Sequence, residues 1–222
     1  PVWPARLACY TYRELQGLPM TAPDPPQNHE TSILILAGGR GSRMHGRDKG
    51  LMELAGKPCI EHLLARLDRK DPVLISANRN LDEYRRYGHP VITDFMDGFP
   101  GPLAGFVSAL DVMDSHYLLT VPVDAPLLCR QYSARMNSAM KNTDSTAVVA
   151  EYNGRMEPVF SLLRRDSADT IRSYLQAGGR SVGDCLANMG AQHVDFTDCP
   201  QQFINLNEPG DVQRLEQQLT NP

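Results

Sequence analysis

A glycine-rich and strongly basic segment directly follows the apolar residues Ile33, Leu34 and Ile35. The segment, LAGGRGSRMHGRDKG at residues 36–50, contains five glycines and, counting its histidine, five basic side chains. Glycines let successive main-chain N–H groups converge on an anion, and arginine and lysine supply positive charge to phosphate oxygens. The position after an apolar run, with Lys49 in the same loop, favours a phosphate-binding loop over a charged surface loop without a ligand.

The spacing of this segment matches neither of the two best-known glycine-rich nucleotide loops. Lys49 is followed by Gly50, whereas the G-x-x-x-x-G-K-[ST] loop needs a hydroxyl residue there for magnesium. A dinucleotide loop G-x-G-x-x-G opens a helix at once, but no helical pattern begins here before about Pro58. The residues therefore predict phosphate binding without identifying the nucleotide.

Two carboxylates and an amide follow other apolar runs. Asp124 ends the run YLLTVPVD, Asp94 ends PVITD and Asn78 ends VLISAN. In an open parallel sheet the carboxyl ends of neighbouring strands share one edge, where ligands bind. Asp124 there would suit Mg²⁺, which takes one or two protein carboxylates together with phosphate oxygens and water. Taken alone, Asp124 and Asn78 are better explained as ordinary turn residues, and Asp94 is equally a solvated loop residue.

Short apolar runs alternate with helical patterns from residue 31 onward. The runs predict strands over residues 33–37, 73–77, 90–93, 117–123, 146–151 and 159–163. Apolar spacing predicts helices around residues 60–67, 103–113 and 131–140, and a last helix opening after residues 207–209. This alternation predicts a three-layer α/β fold of Rossmann-like type, built on a doubly wound and mostly parallel sheet.

The composition narrows the class of protein. A chain of 222 residues is long enough for one sizeable core. The net charge of -4 argues against nucleic-acid binding, and no apolar run approaches the length of a membrane span. The five cysteines have no metal-binding or redox-motif spacing, which predicts reduced thiols and a cytoplasmic location; they are Cys9, Cys59, Cys129, Cys185 and Cys199.

The first thirty residues differ from the rest of the chain. They include the polar, proline-rich stretch TAPDPPQNHE, which predicts a disordered or non-native extension over residues 1–30. Residues 31–222 are expected to form a single domain. The polar stretch begins just after Met20, and we interpret Met20 as the native start, a hypothesis that the intact mass of natively expressed protein tests.

Longer motifs resemble one enzyme family. LAGGRGSRM followed by DKGL is similar to the loop of the small nucleotidyltransferases that wraps a triphosphate. The continuation DKGLMELAGKPCIEHLLARL resembles the molybdenum cofactor guanylyltransferases, as do GPLAG at residues 101–105 and F-x-N-x-N at residues 203–207. The resemblance covers roughly residues 32–215, which is essentially the whole predicted domain.

The resemblance implies an activity and a set of site residues. The reaction would transfer GMP from GTP to the terminal phosphate of molybdopterin in its molybdenum-loaded form, with Mg²⁺ held by Asp124. The implied catalytic residues are Lys49, Arg43 and Asp124. The implied nucleotide contacts are Leu36, Ala37, Gly38, Gly39, Lys49, Asn78, Asp94 and Asp124, and the implied pterin contacts are Gly101, Gly105, Asn205 and Asn207. Asn207 could equally cap the last helix.

Other functions remain open from the residues alone. The same fold could serve a cytidylyltransferase for the same pterin or a sugar-phosphate nucleotidyltransferase. A nucleotide-binding module without catalysis is a second alternative, and a chaperone that only hands molybdopterin onward is a third. The resemblance implies GTP and molybdopterin as partners, and with them other cofactor-assembly proteins and acceptor molybdoenzymes or their chaperones. We expect no nucleic-acid partner and no membrane partner.

Overall fold

The computed structural model describes residues 29–38, 48–94, 101–206 and 209–220. Its strands are β1 (Thr31–Leu36), β2 (Glu53–Leu54), β3 (Lys57–Pro58), β4 (Val73–Ser76), β5 (Val91–Ile92), β6 (Tyr117–Pro122), β7 (Ala147–Tyr152), β8 (Arg155–Arg164) and β9 (Gln192–Asp195). Its α-helices are α1 (Cys59–Leu64), α2 (Leu81–Arg85), α3 (Pro102–Val112), α4 (Tyr132–Lys141), α5 (Ala168–Gln176), α6 (Val182–Asn188) and α7 (Pro209–Thr220). Short 3-10 helices cover Lys49–Leu51, Arg165–Ser167 and Pro200–Phe203.

Seven strands form one sheet in the order β5-β4-β1-β6-β8-β7-β9. The strands β5, β4, β1 and β6 are mutually parallel, and β9 is parallel to β7. Strand β8 is antiparallel to both of its neighbours. The predicted α/β fold with a mostly parallel sheet is therefore confirmed, with one reversed strand between β6 and β7.

Helices cover both faces of this sheet, as the three-layer prediction requires. In β1, Ile33 and Ile35 pack on one face while Leu34 packs on the other, because successive side chains of a strand point to opposite faces. Helices α1, α2 and α4 contribute to the first core, and α3, α5 and α6 contribute to the second. A strand buried on both faces reads as a continuous apolar run, which is why β1, β4 and β6 are visible in the sequence.

Strand β8 is longer than the predicted strand over residues 159–163. Its pairing with β7 shifts between Val149 and Ala150, so that Ser161 and Glu157 face consecutive residues of β7. The intervening residues bulge out, and this irregularity accommodates Pro158, which cannot donate to a sheet ladder. The Thr120 hydroxyl of β6 donates to the carbonyl of Val159 at 2.7 Å and so satisfies a carbonyl that the bulge displaces.

The folded unit includes Glu30. Its carbonyl accepts hydrogen bonds from the main-chain N–H groups of His116 and Tyr117, at 3.1 and 3.0 Å. Residues 1–28 lie outside the described part of the chain, so the expected N-terminal extension and the proposed start at Met20 remain predictions. Within the described ranges no helix is both long enough and apolar enough to cross a membrane.

Candidate active site

Four neighbouring strands end level with one another. Leu36 at the end of β1 pairs with Ser76 of β4 and with Pro122 of β6, and Ser76 pairs with Ile92 of β5. Main-chain hydrogen bonds continue one residue beyond these strand ends. Ala37 N donates to the Ser76 carbonyl at 2.8 Å, and the N–H of the residue after Pro122 donates to the Leu36 carbonyl at 3.0 Å. The carboxyl ends of these strands therefore form one straight edge.

The predicted residues Gly38, Asn78, Asp94 and Asp124 all lie on this edge. Each lies two residues beyond the last residue of its strand, so the level register of the strands places them side by side. Neighbouring strands are about 4.8 Å apart, so the β5 end and the β6 end are separated by about 14 Å. An extended nucleotide could lie across this span. The sequence prediction that these residues share one edge is therefore confirmed.

Lys49 and Asp124 form an ion pair at the β6 end of the edge. The Lys49 Nζ atom donates to Asp124 Oδ2 at 2.9 Å, and the two side chains are 23% and 15% exposed. The pair is thus shielded from bulk water but remains accessible to a ligand. An ammonium group and a carboxylate at such a position can serve a phosphate and a divalent cation respectively.

Asp48, which the sequence analysis did not single out, is the most heavily bonded carboxylate near this pair. Its side chain is 6% exposed. It accepts hydrogen bonds from the Tyr84 hydroxyl at 2.5 Å, from Asn80 Nδ2 at 2.9 Å and from Gly50 N at 3.2 Å. These bonds tie the chain on either side of Lys49 to the β4–α2 connection and to α2. Asp48 therefore acts as the anchor that positions Lys49.

Gly50 fits between Tyr84 and Val123. A Cβ atom at residue 50 would lie 2.5 Å from the Tyr84 hydroxyl oxygen and 2.7 Å from Val123 Cγ2. Burial, and then the hydrogen bond to Asp48, raise the pKa of Tyr84 well above its usual range, so the hydroxyl keeps the proton that it donates. The Asp-Lys-Gly sequence thus combines an anchor, a charged group and a close packing position.

Asn78 and Asp94 bind each other at the β5 end of the edge. Asn78 Nδ2 donates to Asp94 Oδ2 at 2.8 Å, and Asp94 N donates to Asn78 Oδ1 at 3.1 Å. Burial raises the pKa of Asp94, although the bond from Asn78 works in the opposite direction. Gly38 lies against this pair, since a Cβ there would come within 3.2 Å of Asn78 Nδ2. The amide therefore orients a carboxylate that can accept hydrogen bonds from a ligand.

The two glycines of GPLAG have different surroundings. Gly101 precedes α3 with a φ of 142° and an open position where a Cβ would be. Gly105 is buried inside α3, and a Cβ there would lie 2.8 Å from Ser76 Oγ and 3.1 Å from Leu36 Cδ2. The missing side chain of Gly105 thus lets α3 approach the sheet closely. Only Gly101 of the two is exposed.

Asn205 lies next to the main chain of Asp124. The following residue, Leu206, donates its N–H to the Asp124 carbonyl at 3.1 Å. Residues 204–206 form no strand, so the strict alternation of side chains in a strand does not set the direction of Asn205. The buried Asn205 Oδ1 atom has no hydrogen-bond partner among the described residues, which leaves it able to accept a bond from a ligand.

Three of the predicted site residues lie outside the described part of the chain. They are Gly39 and Arg43 of the basic loop and Asn207 of the F-x-N-x-N motif. Leu36 and Ala37 are described, and both lie at the end of β1, where their main-chain groups bond to the neighbouring strands.

The residues at this edge fit a magnesium ion that takes some of its ligands from phosphate. No cluster of three or more His, Cys, Asp or Glu side chains that could hold a metal exists in the described ranges. Mg²⁺, however, usually takes one or two protein carboxylates and completes its octahedron with water and phosphate oxygens. Asp124 supplies one carboxylate, and its contact with Lys49 shows that the position already favours a cation.

Cys59 is a buried neighbour of the Lys49–Asp124 pair. Its thiol donates to the Val123 carbonyl at 3.1 Å. Burial, and then the negative charge of Asp124, raise the pKa of Cys59 far above that of a free thiol. The thiol therefore stays protonated and packs against the site without acting as a nucleophile.

The comparisons with known proteins agree on one family. A family model described as a MobA-like NTP transferase domain matches residues 33–193. The molybdenum cofactor guanylyltransferase of Shewanella sp. (strain MR-4) is 40% identical over 191 residues, which cover 86% of this chain and 97% of that protein. The protein of the same name from Shewanella baltica (strain OS155 / ATCC BAA-1091) is 40% identical over 192 residues, which cover 86% of this chain and 98% of that protein.

Solved structures show the same fold at lower identity. Molybdopterin-guanine dinucleotide biosynthesis protein A from Archaeoglobus fulgidus has a TM-score of 0.73 at 21% identity, over 86% of this chain and all of that one (100%). A CMP:2-keto-3-deoxy-manno-octonic acid synthetase complexed with CTP has a TM-score of 0.68 at 13% identity, over 86% of this chain and 99% of that one. These two structures therefore share the α/β fold of this chain.

Substitution of Gly50 tests the packing that positions Lys49. In Gly50→Ala the new methyl group clashes with Tyr84 and Val123. The free energy of unfolding should fall by about 1–3 kcal/mol, because overpacking forces neighbouring groups apart. Urea denaturation measures this change. The matched control is Gly183→Ala, where the Cβ would lie 3.4 Å from Pro158 Cγ, an ordinary contact. Equal stability of the two variants would contradict the packing argument.

Proposed function

The chain belongs to the MobA-like NTP transferase family, and we propose that it transfers GMP from GTP to the terminal phosphate of molybdopterin, releasing pyrophosphate. Its named relatives are guanylyltransferases, so the enzyme class is nucleotidyltransferase. The observation that carries the proposal is the Lys49–Asp124 ion pair at the end of β6, beside a level row of polar strand-end residues. A sensor module would not need to keep a carboxylate suited to a metal ion beside this lysine.

The chemistry fits the groups that the site offers. The attacking phosphate of the pterin is already ionised at neutral pH, so the reaction needs no strong general base. Catalysis then depends on alignment of the two phosphates and on neutralisation of the charge that develops. Lysine, glycines and one carboxylate suit this task. The thiol nearest to the site, that of Cys59, stays protonated and is not required as a nucleophile.

Lys49 and Asp124 have separate roles in this proposal. Asp124 would hold Mg²⁺, which when bound offsets the negative charge of the triphosphate. Lys49 would turn its ammonium group from Asp124 to the phosphate oxygens. Arg43, from the basic loop, is proposed as a second cation on the basis of the family resemblance.

Asp94 and Asn78 are proposed to determine the specificity for guanine over cytosine. An ionised carboxylate only accepts hydrogen bonds. The Watson–Crick edge of guanine presents two neighbouring N–H donors, whereas cytosine presents one amino group beside acceptors. Asn78 binds one oxygen of Asp94 and its main-chain N–H, which orients the carboxylate for such a pair of donors. This arrangement supports GTP over CTP. Leu36, Ala37, Gly38 and Gly39 would line the nucleotide with main-chain groups.

The pterin is proposed to bind at the β6 side of the edge. Asn205 offers a buried amide oxygen next to Asp124, and pterin rings carry N–H donors that such an oxygen can bind. Gly101 leaves an open main-chain position at the start of α3. Asn207 is proposed as a further pterin contact from the family resemblance alone. Gly105 would act indirectly, because it packs α3 onto the sheet.

The setting that we propose is the cytoplasm, where thiols stay reduced. The four described cysteines are free, which supports this choice. Molybdoenzymes that use the guanine dinucleotide form of the cofactor, or their chaperones, would then receive the product. Other proteins of cofactor assembly would supply the pterin.

One assay tests the proposed function directly. Purified protein is incubated with molybdopterin, Mg²⁺ and each of the four NTPs, and the pterin product is identified by mass spectrometry. GTP should give the guanine dinucleotide with release of pyrophosphate. Lys49→Ala and Asp124→Ala should each lower turnover at least about a hundredfold, because each removes charge stabilisation in the transition state.

The exposed Lys57 offers a matched control for this assay, since Lys57→Ala removes the same charge from the β2–β3 hairpin. It should turn over like the wild type. Preferential use of CTP would assign the chain to the cytidylyl branch of the fold. Nucleotide binding without turnover on any pterin would support a regulatory module and overturn the proposal.

The raised pKa of Asp94 predicts a pH dependence of GTP binding. Guanine binds the ionised carboxylate, so the KM for GTP should rise as the pH falls through the raised pKa. Asp94→Asn should raise KM by about 10–100-fold, since it removes hydrogen bonds to a charged group, and should flatten this pH dependence. The exposed Asp144 supplies the control Asp144→Asn. An Asp94→Asn variant with the pH profile of the wild type would contradict the assigned role.

A further inference from the structure

Cys129 and Cys199 lie in contact although 70 positions separate them in the sequence. The Cys199 thiol donates a hydrogen bond to Cys129 Sγ at 2.7 Å, which is less than the sum of the van der Waals radii of two sulfur atoms. Both residues are partly exposed, whereas the other two described cysteines, Cys59 and Cys185, are buried. The wide spacing of the cysteines in the sequence gave no sign of this pair.

Cys129 and Cys199 lie at the same end of two chain segments that run side by side. One segment leads from Asp124 to Cys129, and the other leads from Cys199 to Leu206. Leu206 N bonds to the Asp124 carbonyl at one end, and Cys129 N bonds to Gln202 Oε1 at 3.3 Å near the other. A covalent link between the sulfurs would therefore fix the segment that carries Asn205 against the segment that carries the catalytic carboxylate.

The position of Cys199 is already fixed by its neighbours. Arg135 of α4 binds both carboxylate oxygens of Asp198, at 2.8 and 2.9 Å, and lies 4.1 Å from the centre of the Phe196 ring. Cys199 N donates to the Phe196 carbonyl at 2.9 Å. A bonded pair of sulfurs is about 2.05 Å apart, so only a small rotation of the side chains separates the contact from a bond.

We propose that Cys129 and Cys199 form an intramolecular disulfide when the protein meets a disulfide oxidant such as oxidised glutathione. This inference does not rest on the proposed function. The link is a modification site of the fold, formed and removed by thiol–disulfide exchange. It clamps the loop that follows β6 to the loop that follows β9.

The exchange proceeds in two steps and balances. Cys129 loses its proton and attacks one sulfur of oxidised glutathione, which gives a mixed disulfide and one glutathione thiol. Cys199 then loses its proton and attacks the Cys129 sulfur, which releases the second glutathione thiol. Two protein thiols are oxidised, and one external disulfide is reduced to two thiols. Burial, and then the hydrogen bond to Cys129, raise the pKa of Cys199, which disfavours Cys199 as the thiol that attacks first.

Peptide mapping of the oxidised protein tests the proposal. The test uses the full chain with Cys9→Ser, which removes the one cysteine outside the described residues. The protein is equilibrated with mixtures of oxidised and reduced glutathione, alkylated without denaturant, and digested. The expected product is one cross-link between Cys129 and Cys199 in the monomer, with Cys59 and Cys185 alkylated only after unfolding. The thermal midpoint of the oxidised form should exceed that of the reduced form by about 5–10 °C.

Serine variants provide the controls. Cys129→Ser and Cys199→Ser should each abolish both the cross-link and the difference in midpoint between oxidised and reduced protein. Cys185→Ser, which alters a buried cysteine of the opposite core, should keep both. A stable mixed disulfide with glutathione at Cys129, a cross-link to another cysteine, or no cross-link under the most oxidising mixture would each overturn the proposal. None of these measurements requires guanylyltransferase activity.

Discussion

The ion pair between Lys49 and Asp124 is the interaction on which the site depends. Two opposite charges at 2.9 Å, with 23% and 15% of their side chains exposed, satisfy each other in a partly desolvated position. Loss of one partner would leave the other charge poorly solvated, which is costly. A triphosphate with a divalent cation can replace this mutual contact without leaving either group unpaired. The pair is thus stable when no ligand is present and available when one binds.

The fold holds this pair through close packing as much as through bonds. Asp48 collects donors from Tyr84, Asn80 and Gly50, and this network fixes the chain on both sides of Lys49. Asp124 is fixed by the end of β6, which pairs with β1 along one edge and with β8 along the other. Binding groups that sit at the ends of buried strands lose little freedom when a ligand arrives, which favours catalysis by alignment.

Much of the edge could be predicted from the sequence, because a polar residue that follows an apolar run must lie at a strand end. This reasoning gave Asp124, Asp94 and Asn78. The direction of β8 could not be predicted in this way, since hydropathy does not distinguish a parallel strand from an antiparallel one. The apolar residues of the F-x-N-x-N motif gave no indication of their partners, and Leu206 is buried through packing with residues such as Leu54 and Leu215.

Sequence patterns could not predict contacts between segments that are far apart in the chain. Asp48 and Tyr84 are 36 positions apart, and their bond depends on how α2 packs after β4. The two sulfurs of Cys129 and Cys199 meet only because the loops after β6 and β9 come together on one side of α4. Such contacts follow from tertiary packing, and no local period in the sequence encodes them. The family resemblance supplied roles for residues, but it did not supply the anchor that positions Lys49.

Binding of a non-hydrolysable GTP analogue to Asp124→Asn, measured by calorimetry with and without Mg²⁺, tests the central claim most directly. If Asp124 acts through the cation, the variant should bind about tenfold or more weakly than the wild type in Mg²⁺. In EDTA it should bind at least as tightly as the wild type, because the substitution removes a negative charge and releases Lys49 for the phosphates. Equal losses with and without Mg²⁺ would contradict the account and leave Asp124 a purely structural role.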